Sequence, residues 1–142
     1  SGGAVTDQYC QTSIKGIYAC GNVLYVHDIA DYVTDEARIA GLSAAKYAMN
    51  GYYHDEQVYQ VFSLQDTKYT MPCLIRKTDD NIKLYVRVNK KLKPAFISVR
   101  CNDKEIYRKN FNILIHGEMQ PIILNGRDIN GNIEVICGER ND

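Results

Sequence analysis

The residues best suited to chemistry lie in one short stretch near the N-terminus, "GIYACGNVLYVHDIAD". A compact apolar run leads to Gly21 and Asn22, and His27, Asp28 and Asp31 follow. Glycine lets the backbone approach a ligand closely, and the Asn22 amide can donate and accept hydrogen bonds. A helix that starts here would aim its free N–H groups at the same place. The stretch suits an electron-rich carbonyl, a phosphate or a polyol; a ligand-free strand–turn–helix corner is the alternative.

The same stretch contains candidate metal ligands in His27, Asp28 and Asp31. A site of the His-Asp phosphohydrolase type needs further histidines, and His54 and His116 are both far away in sequence. A helix cap beside a packed His27 is therefore preferred, and no metal ligand or catalytic residue is assigned.

Five cysteines occur at wide spacings, and no Cys-x-x-Cys pair is among them. A zinc ribbon or a dithiol redox pair is therefore not indicated. The pattern favours free buried thiols in a cytosolic protein. Cys20 lies inside the stretch described above, and a structural thiol is preferred there over a reactive one.

A helix over residues 31–49, after short strands at 4–9 and 16–20, must position these side chains. Its small residues recur at helical spacing and leave one side without bulk; they are Ala37, Ala40, Gly41, Ala44, Ala45 and Ala48. Asp28 or Asp31 could cap the start of this helix. Asn50 and Gly51 should end it.

After residue 56 the apolar pattern changes to a period of two, which is typical of strands. Eight segments fit, separated by turn signals: "QVYQVFSL", "CLIRK", "IKLYVRV", "AFISVR", "KEIYRK", "FNILI", "QPIIL" and "NIEVICG". In "IKLYVRV", every second residue from Ile82 shares one face, and Lys83, Tyr85 and Arg87 share the other. This pattern favours an antiparallel sandwich or barrel. The predicted class is α+β, with an antiparallel β-sandwich of immunoglobulin-like or related topology over residues 57–142.

Composition describes an ordinary globular chain of 142 residues with a formal net charge of zero. Residues 1–56 carry three basic and seven acidic side chains, and residues 57–142 carry 14 and 10, so the two parts are −4 and +4. Interleaved Lys, Arg and Tyr in "RCNDKEIYRK" can bind nucleic acid, but acidic residues lie among them and favour a solvated sheet face. No nucleic-acid partner, no membrane span and a cytoplasmic location are expected.

The motif "TSIKGIYACGNV", followed by "EARIAGLSAAKYA", resembles the C-terminal flavin-binding motif of the pyridine nucleotide-disulfide oxidoreductases. The longer string "GIYACGNVLYVHDIADYV" is closer still to the NAD(P)/FAD-dependent oxidoreductases found beside bacterial glycerol-3-phosphate dehydrogenases. The resemblance covers about residues 2–50. It continues weakly into "YTMPCLI" and "IHGEM", which resemble the β-rich tail of some of these enzymes.

The resemblance implies that residues 1–56 are the C-terminal piece of an FAD-binding, Rossmann-like domain. It assigns six residues to the cofactor. Gly21, Asn22 and Val23 would meet the ribityl and pyrophosphate side, and Asp31, Tyr32 and Val33 would face the flavin ring. An asparagine stands at position 22 where the family usually has aspartate, so its hydrogen bond to a ribityl hydroxyl would be uncharged and weaker.

The chain lacks the dinucleotide fingerprint Gly-x-Gly-x-x-Gly that this family needs for FAD and for NAD(P)H. The resemblance therefore implies a C-terminal fragment of a flavin-dependent NAD(P)H oxidoreductase, whose N-terminal FAD/NAD(P)-binding portion or partner subunit is separate. Such a chain would be inactive alone, would not retain FAD, and would supply one wall of the FAD site and a docking β-domain. The alternative is a non-enzymatic β-sandwich interaction module that dimerises through the small-residue face of its helix.

Overall fold

The computed structural model describes residues 1–51 and 57–140, which contain one α-helix and eight strands. Helix α1 is Ala30–Asn50. The strands are β1 Val58–Gln65, β2 Thr67–Met71, β3 Leu74–Arg76, β4 Asn81–Val88, β5 Ala95–Cys101, β6 Lys104–Phe111, β7 Gln120–Asn125 and β8 Ile133–Glu139. Short 3-10 helices lie at Gly21–Val23 and Gly126–Asp128. The predicted α+β class is confirmed at this level.

The strands form two sheets. One sheet has five strands in the order β3-β1-β8-β5-β6, and the other has three in the order β2-β4-β7. All pairs are antiparallel except β1 with β8, which is parallel and departs from the predicted pattern. The immunoglobulin-like topology and the Rossmann-like origin of the N-terminal part stay predictions.

The main core gathers inward-facing residues of both sheets into one apolar cluster. Strand β4 shows why, because its alternate residues Ile82, Leu84, Val86 and Val88 are at most 2% exposed. The alternation read from the sequence is therefore confirmed for this face. The other face of β4 is covered at Tyr85 and Arg87, which are buried, whereas Lys83 is exposed.

A second apolar cluster fixes the N-terminal segment against the outer face of the three-stranded sheet. Leu24 and Tyr25 pack there with Met71, Tyr85 and Met119. Residues 1–29 therefore contact the β-rich part of the chain. The predicted domain boundary at residue 56 falls on residues 52–56, which lie outside the described residues, as does His54.

Helix α1 agrees with the predicted span but not with the predicted start signal. Gly51 ends it at φ +59°, with its N–H bonded to Tyr47 O at 2.8 Å. The N-cap is Ile29, which makes no side-chain hydrogen bond, so the prediction that Asp28 or Asp31 caps the helix is wrong. Asp31 lies in the first turn, where a carboxylate suits the helix dipole.

The strands predicted at residues 4–9 and 16–20 are wrong. Only isolated bridges form, between Thr6 and Thr12 and between Gln11 and Tyr18. The Asp7 carboxylate accepts hydrogen bonds from backbone N–H groups two and four residues on, which bends the chain away from an extended path.

Two differences concern the β-rich part. The segment "FNILI" is not a strand beyond the end of β6, and only Leu114 pairs, with Leu92. The strand missed in the sequence is β2, "TKYTM", whose residues are largely polar. The chain passes from β1 in the five-stranded sheet to β2 in the other sheet at Gln65 and Asp66, and Gln65 has a left-handed φ of +51°. No helix in the described part of the chain is long and apolar enough to cross a membrane.

Candidate functional site

The corner between the 3-10 helix Gly21–Val23 and the start of α1 brings the six candidate residues together. Gly21 has a φ of +83°, a left-handed conformation that glycine adopts without a Cβ penalty. A Cβ built on Gly21 would lie 3.9 Å from Val33 Cγ1, so the two triplets approach one another there. Asn22 and Val23 are exposed. The geometry leaves the outer side of this corner open.

Glu36 closes the inner side of the corner. Its Oε2 atom accepts a hydrogen bond from the Gly21 backbone N–H at 2.6 Å. The same oxygen lies 3.1 Å from His27 Nε2, an ion-pair distance at which the ring N–H is not aligned for a hydrogen bond. The Glu36 carboxylate therefore occupies the place beside the Gly21 N–H where an anionic ligand group would otherwise bind.

His27 lies between Glu36 and Asn22, and its side chain is only 2% exposed. Asn22 Oδ1 lies 3.0 Å from His27 Nδ1 and accepts the His27 backbone N–H at 3.4 Å. Both ring nitrogens thus face oxygen atoms of neighbouring side chains. The Asn22 Nδ2 group has no hydrogen-bond partner among the residues that the structure describes, so it is available to a ligand.

Tyr25 packs against one face of the His27 ring. Its ring stacks on His27 with centroids 4.0 Å apart. Its buried hydroxyl has no hydrogen bond within the described ranges. Burial and the nearby Glu36 carboxylate raise the pKa of Tyr25 above its ordinary value. The hydroxyl is therefore a neutral group under physiological conditions.

The first turn of α1 divides its three candidate residues between solvent and the chain's own interior. Asp31 is exposed. The Tyr32 ring packs against Tyr85 with centroids 5.0 Å apart, and Val33 points toward Gly21. Tyr32 and Val33 are thus half-buried, whereas Asp31 faces solvent. Ile29 provides no side-chain hydrogen bond to the first N–H groups of α1, and no other described side chain accepts from them.

Both carboxylate oxygens of Asp28 are engaged by the chain itself. Its Oδ1 atom accepts a hydrogen bond from Arg87 Nη2 at 2.5 Å, and its Oδ2 atom accepts the Met119 N–H at 2.6 Å. Within residues 1–51 and 57–140 no three His, Cys, Asp or Glu side chains are grouped so that they could hold a metal ion.

The small-residue face of α1 is largely uncovered. Ala40 is buried and Ala44 half-buried, but Ala37, Gly41, Ala45 and Ala48 are exposed. A Cβ built on Gly41 meets nothing within 4 Å. Larger apolar side chains are exposed near it and on the adjoining segment: Leu42 54%, Met49 81%, Val23 62% and Val26 70%. Two of the small residues therefore face inward, and the other four lie exposed beside the large apolar side chains Leu42 and Met49.

All five cysteines are free thiols; Cys10, Cys101 and Cys137 are buried as predicted, whereas Cys20 and Cys73 are only half-buried. Burial, followed by the Glu36 carboxylate, raises the pKa of the Cys10 thiol to about 12. Burial likewise raises the pKa of Cys137 to about 11. Cys20 is half-buried beside Gly21. Raised pKa values of buried thiols describe structural rather than reactive cysteines.

Sequence reasoning missed the charged residues that hold the corner. Glu36 was visible only as one of several acids near the start of a helix, and Arg87 as one polar position of an alternating strand. Asp7 is buried at 2% exposure and pairs with Arg76 Nε at 2.5 Å. The sequence does contain a signal for Arg87, which lies between two valines on a well-formed strand. A cation buried at such a position needs an acidic partner.

Comparison with protein-family models, with curated proteins and with solved structures finds no match to this chain.

Proposed function

We propose that the chain is the C-terminal part of a flavin-dependent NAD(P)H oxidoreductase and forms one wall of its FAD site. The observation that carries this proposal is the open corner at Gly21 and Asn22. A left-handed glycine, an exposed amide with a free Nδ2 group and a helix start without a side-chain cap lie side by side there. Free N–H donors at a helix start suit an electron-rich group of a ligand.

The corner has donors for the two parts of a flavin that the motif implies. Asn22 Nδ2 can donate to a ribityl hydroxyl, because Asn22 Oδ1 is engaged with His27. The first N–H groups of α1 can donate to a ring carbonyl, and Asp31 stands exposed beside them. Glu36 already fills the anion position next to Gly21, so a pyrophosphate would be held by the missing portion of the enzyme.

The exposed small-residue face of α1 supports the same proposal. Exposed Leu42 and Met49 extend this face, and none of the described residues covers it. A helix with one side stripped of bulk can approach another backbone closely. In the proposal, the N-terminal FAD- and NAD(P)-binding portion packs on this face. The β-rich part then orients the whole enzyme against a partner subunit.

The alternative is a non-enzymatic interaction module that dimerises through α1. It is favoured by the way the N-terminal segment is attached to the sheets, since Asp7 pairs with Arg76 and Asp28 pairs with Arg87. Because these charges are paired within one chain, the inner side of the N-terminal segment needs no second chain, which fits a free-standing module. Sedimentation measured from micromolar to millimolar concentration separates the two proposals. The module should form a defined dimer as its concentration rises, and the fragment should not.

The first test of the proposed function is the size and colour of the endogenous polypeptide, recovered from source cells with an antibody raised to this chain. The proposal expects a polypeptide far larger than 16.2 kDa that carries bound FAD, seen by its absorbance and by mass spectrometry of the released cofactor. A polypeptide of 16.2 kDa without flavin would contradict it and favour the module. NAD(P)H oxidation by the 142-residue chain with added FAD, lost in Asn22→Ala, would show that the chain is competent alone.

A further inference from the structure

A cavity of about 400 Å³ opens between the N-terminal segment, helix α1 and the start of β4. None of the six candidate flavin residues lines it, although Glu36, which closes the inner side of the Gly21 corner, does. Its volume is in the range of sites that hold a small organic molecule. The proposed function assigns no role to this cavity.

One side of the cavity is apolar and partly aromatic. Met71 and Tyr85 are 3% and 8% exposed, and Pro72 lies beside them. Ile39 contributes from α1 and is 39% exposed. A flat ring would bury apolar surface against these side chains, and ring-to-ring contact with Tyr85 would add to it.

Tyr85 provides a polar group at the base of this apolar side. Its ring is held by Tyr32 and Tyr25, with centroid distances of 5.0 and 6.4 Å. Its hydroxyl has no hydrogen-bond partner in the part of the chain that the structure describes. Burial, followed by the Asp35 carboxylate, raises the pKa of Tyr85 to about 12, so the hydroxyl keeps its proton at neutral pH. The hydroxyl is not among the fully buried unpaired atoms, so a ligand that pairs with it would replace water as its hydrogen-bond partner.

The rim of the cavity carries charges of both signs that are not firmly engaged. Lys83 Nζ lies 3.9 Å from Asp35 Oδ2, and the two side chains are 45% and 59% exposed. Arg38 and Asp80 also line the cavity, and neither makes an ion pair among the described residues. Two cations and two carboxylates are thus available at the rim, whereas Asp7 is committed to Arg76.

We propose that this cavity binds a small aromatic zwitterion, a molecule with one ring or two fused rings that bears both an ammonium and a carboxylate group. The ring would lie against Met71, Ile39 and Tyr85. Its carboxylate would meet Arg38 or Lys83, and its ammonium would meet Asp35 or Asp80. The Tyr85 hydroxyl would accept a hydrogen bond from a ring N–H or donate one to the carboxylate.

The absence of tryptophan from the chain gives a direct test, because indole fluorescence then reports the probe alone. Four probes share the indole ring and differ in charge: L-tryptophan, tryptamine, indole-3-acetate and 3-methylindole. Each is titrated with the complete 142-residue chain while its emission and anisotropy are recorded. We expect saturable binding of L-tryptophan with a Kd of about 1 mM or below, and binding at least roughly fivefold weaker for each of the other three.

Variants locate the binding. Tyr85→Phe keeps the ring and removes the hydroxyl, and it should weaken L-tryptophan binding by about threefold or more. Tyr107→Phe makes the same change on β6, outside the cavity, and should leave binding unchanged. Arg38→Gln should weaken L-tryptophan and indole-3-acetate but not tryptamine, and Asp80→Asn should weaken L-tryptophan and tryptamine but not indole-3-acetate.

Three outcomes overturn the proposal. The first is that none of the probes shows saturable binding up to about 10 mM. The second is that tryptamine or indole-3-acetate binds as tightly as L-tryptophan, which removes the zwitterion. The third is binding that is equal in wild type, Tyr85→Phe and Tyr107→Phe, which places the probe elsewhere. Circular dichroism of each variant confirms that it is folded before it is titrated.

Discussion

Arg87 Nη2 donates a hydrogen bond to Asp28 Oδ1 at 2.5 Å and so joins the segment before α1 to the middle of β4. The same nitrogen reaches Val26 O at 3.2 Å, and Nη1 reaches His116 O at 2.8 Å. Asp28 Oδ2 in turn accepts the backbone N–H of Met119. The side chains of Arg87 and Asp28 are 9% and 19% exposed. One buried guanidinium therefore fastens three separate parts of the chain.

Asp28→Ala is expected to lower the free energy of unfolding by about 3 kcal/mol, because it leaves a buried guanidinium without its counter-ion. It also removes the acceptor of the Met119 N–H group. Asp28→Asn, which keeps a neutral acceptor, should cost less. Urea denaturation followed by circular dichroism measures the effect.

The matched control is Asp79→Ala. Asp79 faces Arg127 at 3.9 Å, but these side chains are 77% and 73% exposed. Exposed pairs contribute little, so stability should not change measurably. If Asp28→Ala were as stable as Asp79→Ala, the buried pair would not be what holds the N-terminal segment in place.

The same strand shows where sequence reasoning succeeded and where it ended. Alternation in "IKLYVRV" placed Ile82, Leu84, Val86 and Val88 in the core correctly. It left Arg87 as one of three polar positions, because a period of two says which residues share a face and not what covers the second face. The cover comes from Leu24 and Tyr25, about 60 residues earlier, and a local pattern carries no signal for a contact at that separation.

The candidate corner was predicted in part for similar reasons. Local chemistry identified Gly21, Asn22 and the helix that follows, since glycine conformation and helix termini depend on near neighbours. The carboxylate that fills the inner side of the corner was not predicted. Glu36 reaches Gly21 N from 15 residues away, and several other acids near the helix start competed for the same interpretation.

Glu36→Ala should loosen the corner, because the Gly21 N–H and the buried His27 ring both lose their carboxylate. The expected loss of stability is about 1–3 kcal/mol. Hydrogen exchange should show faster exchange at Gly21 and through Val23 while the core strands stay protected. The control is Asp35→Ala on the preceding residue, whose side chain is 59% exposed. Equal exchange rates at Gly21 in these two variants would contradict the assigned contact.

Stability should fall in alkaline solution. The pKa of Cys137 is about 11 in the fold against an ordinary 9.0, so the folded chain holds this proton longer than the unfolded chain does. The contribution is complete below pH 9.0 and is lost as the pH rises to about 11. Its size is roughly 2–3 kcal/mol. Cys10 and Tyr85, with pKa values raised to about 12, act in the same direction.

Unfolding free energies measured between about pH 8 and pH 11 test this dependence. Cys137→Ala should flatten the slope, although it also lowers stability at neutral pH by creating a small cavity in the core. Cys73→Ala, at a half-buried position, serves as the comparison. A slope that is unchanged in Cys137→Ala would show that its buried thiol does not contribute to the alkaline loss.

The same substitution at two glycines should have opposite effects. A Cβ at Gly21 meets only Val33 Cγ1, at 3.9 Å, so the cost of Gly21→Ala comes from its φ of +83° rather than from a clash, and should be about 1–2 kcal/mol. Gly41 lies inside α1 with open space around its Cβ position. Gly41→Ala should therefore stabilise the chain by roughly 0.5–1 kcal/mol, because alanine favours the helix. Thermal and urea unfolding of both variants measures the two changes in stability. If Gly21→Ala were also stabilising, residue 21 would not hold its left-handed conformation, and the open corner on which the flavin proposal depends would not exist in solution.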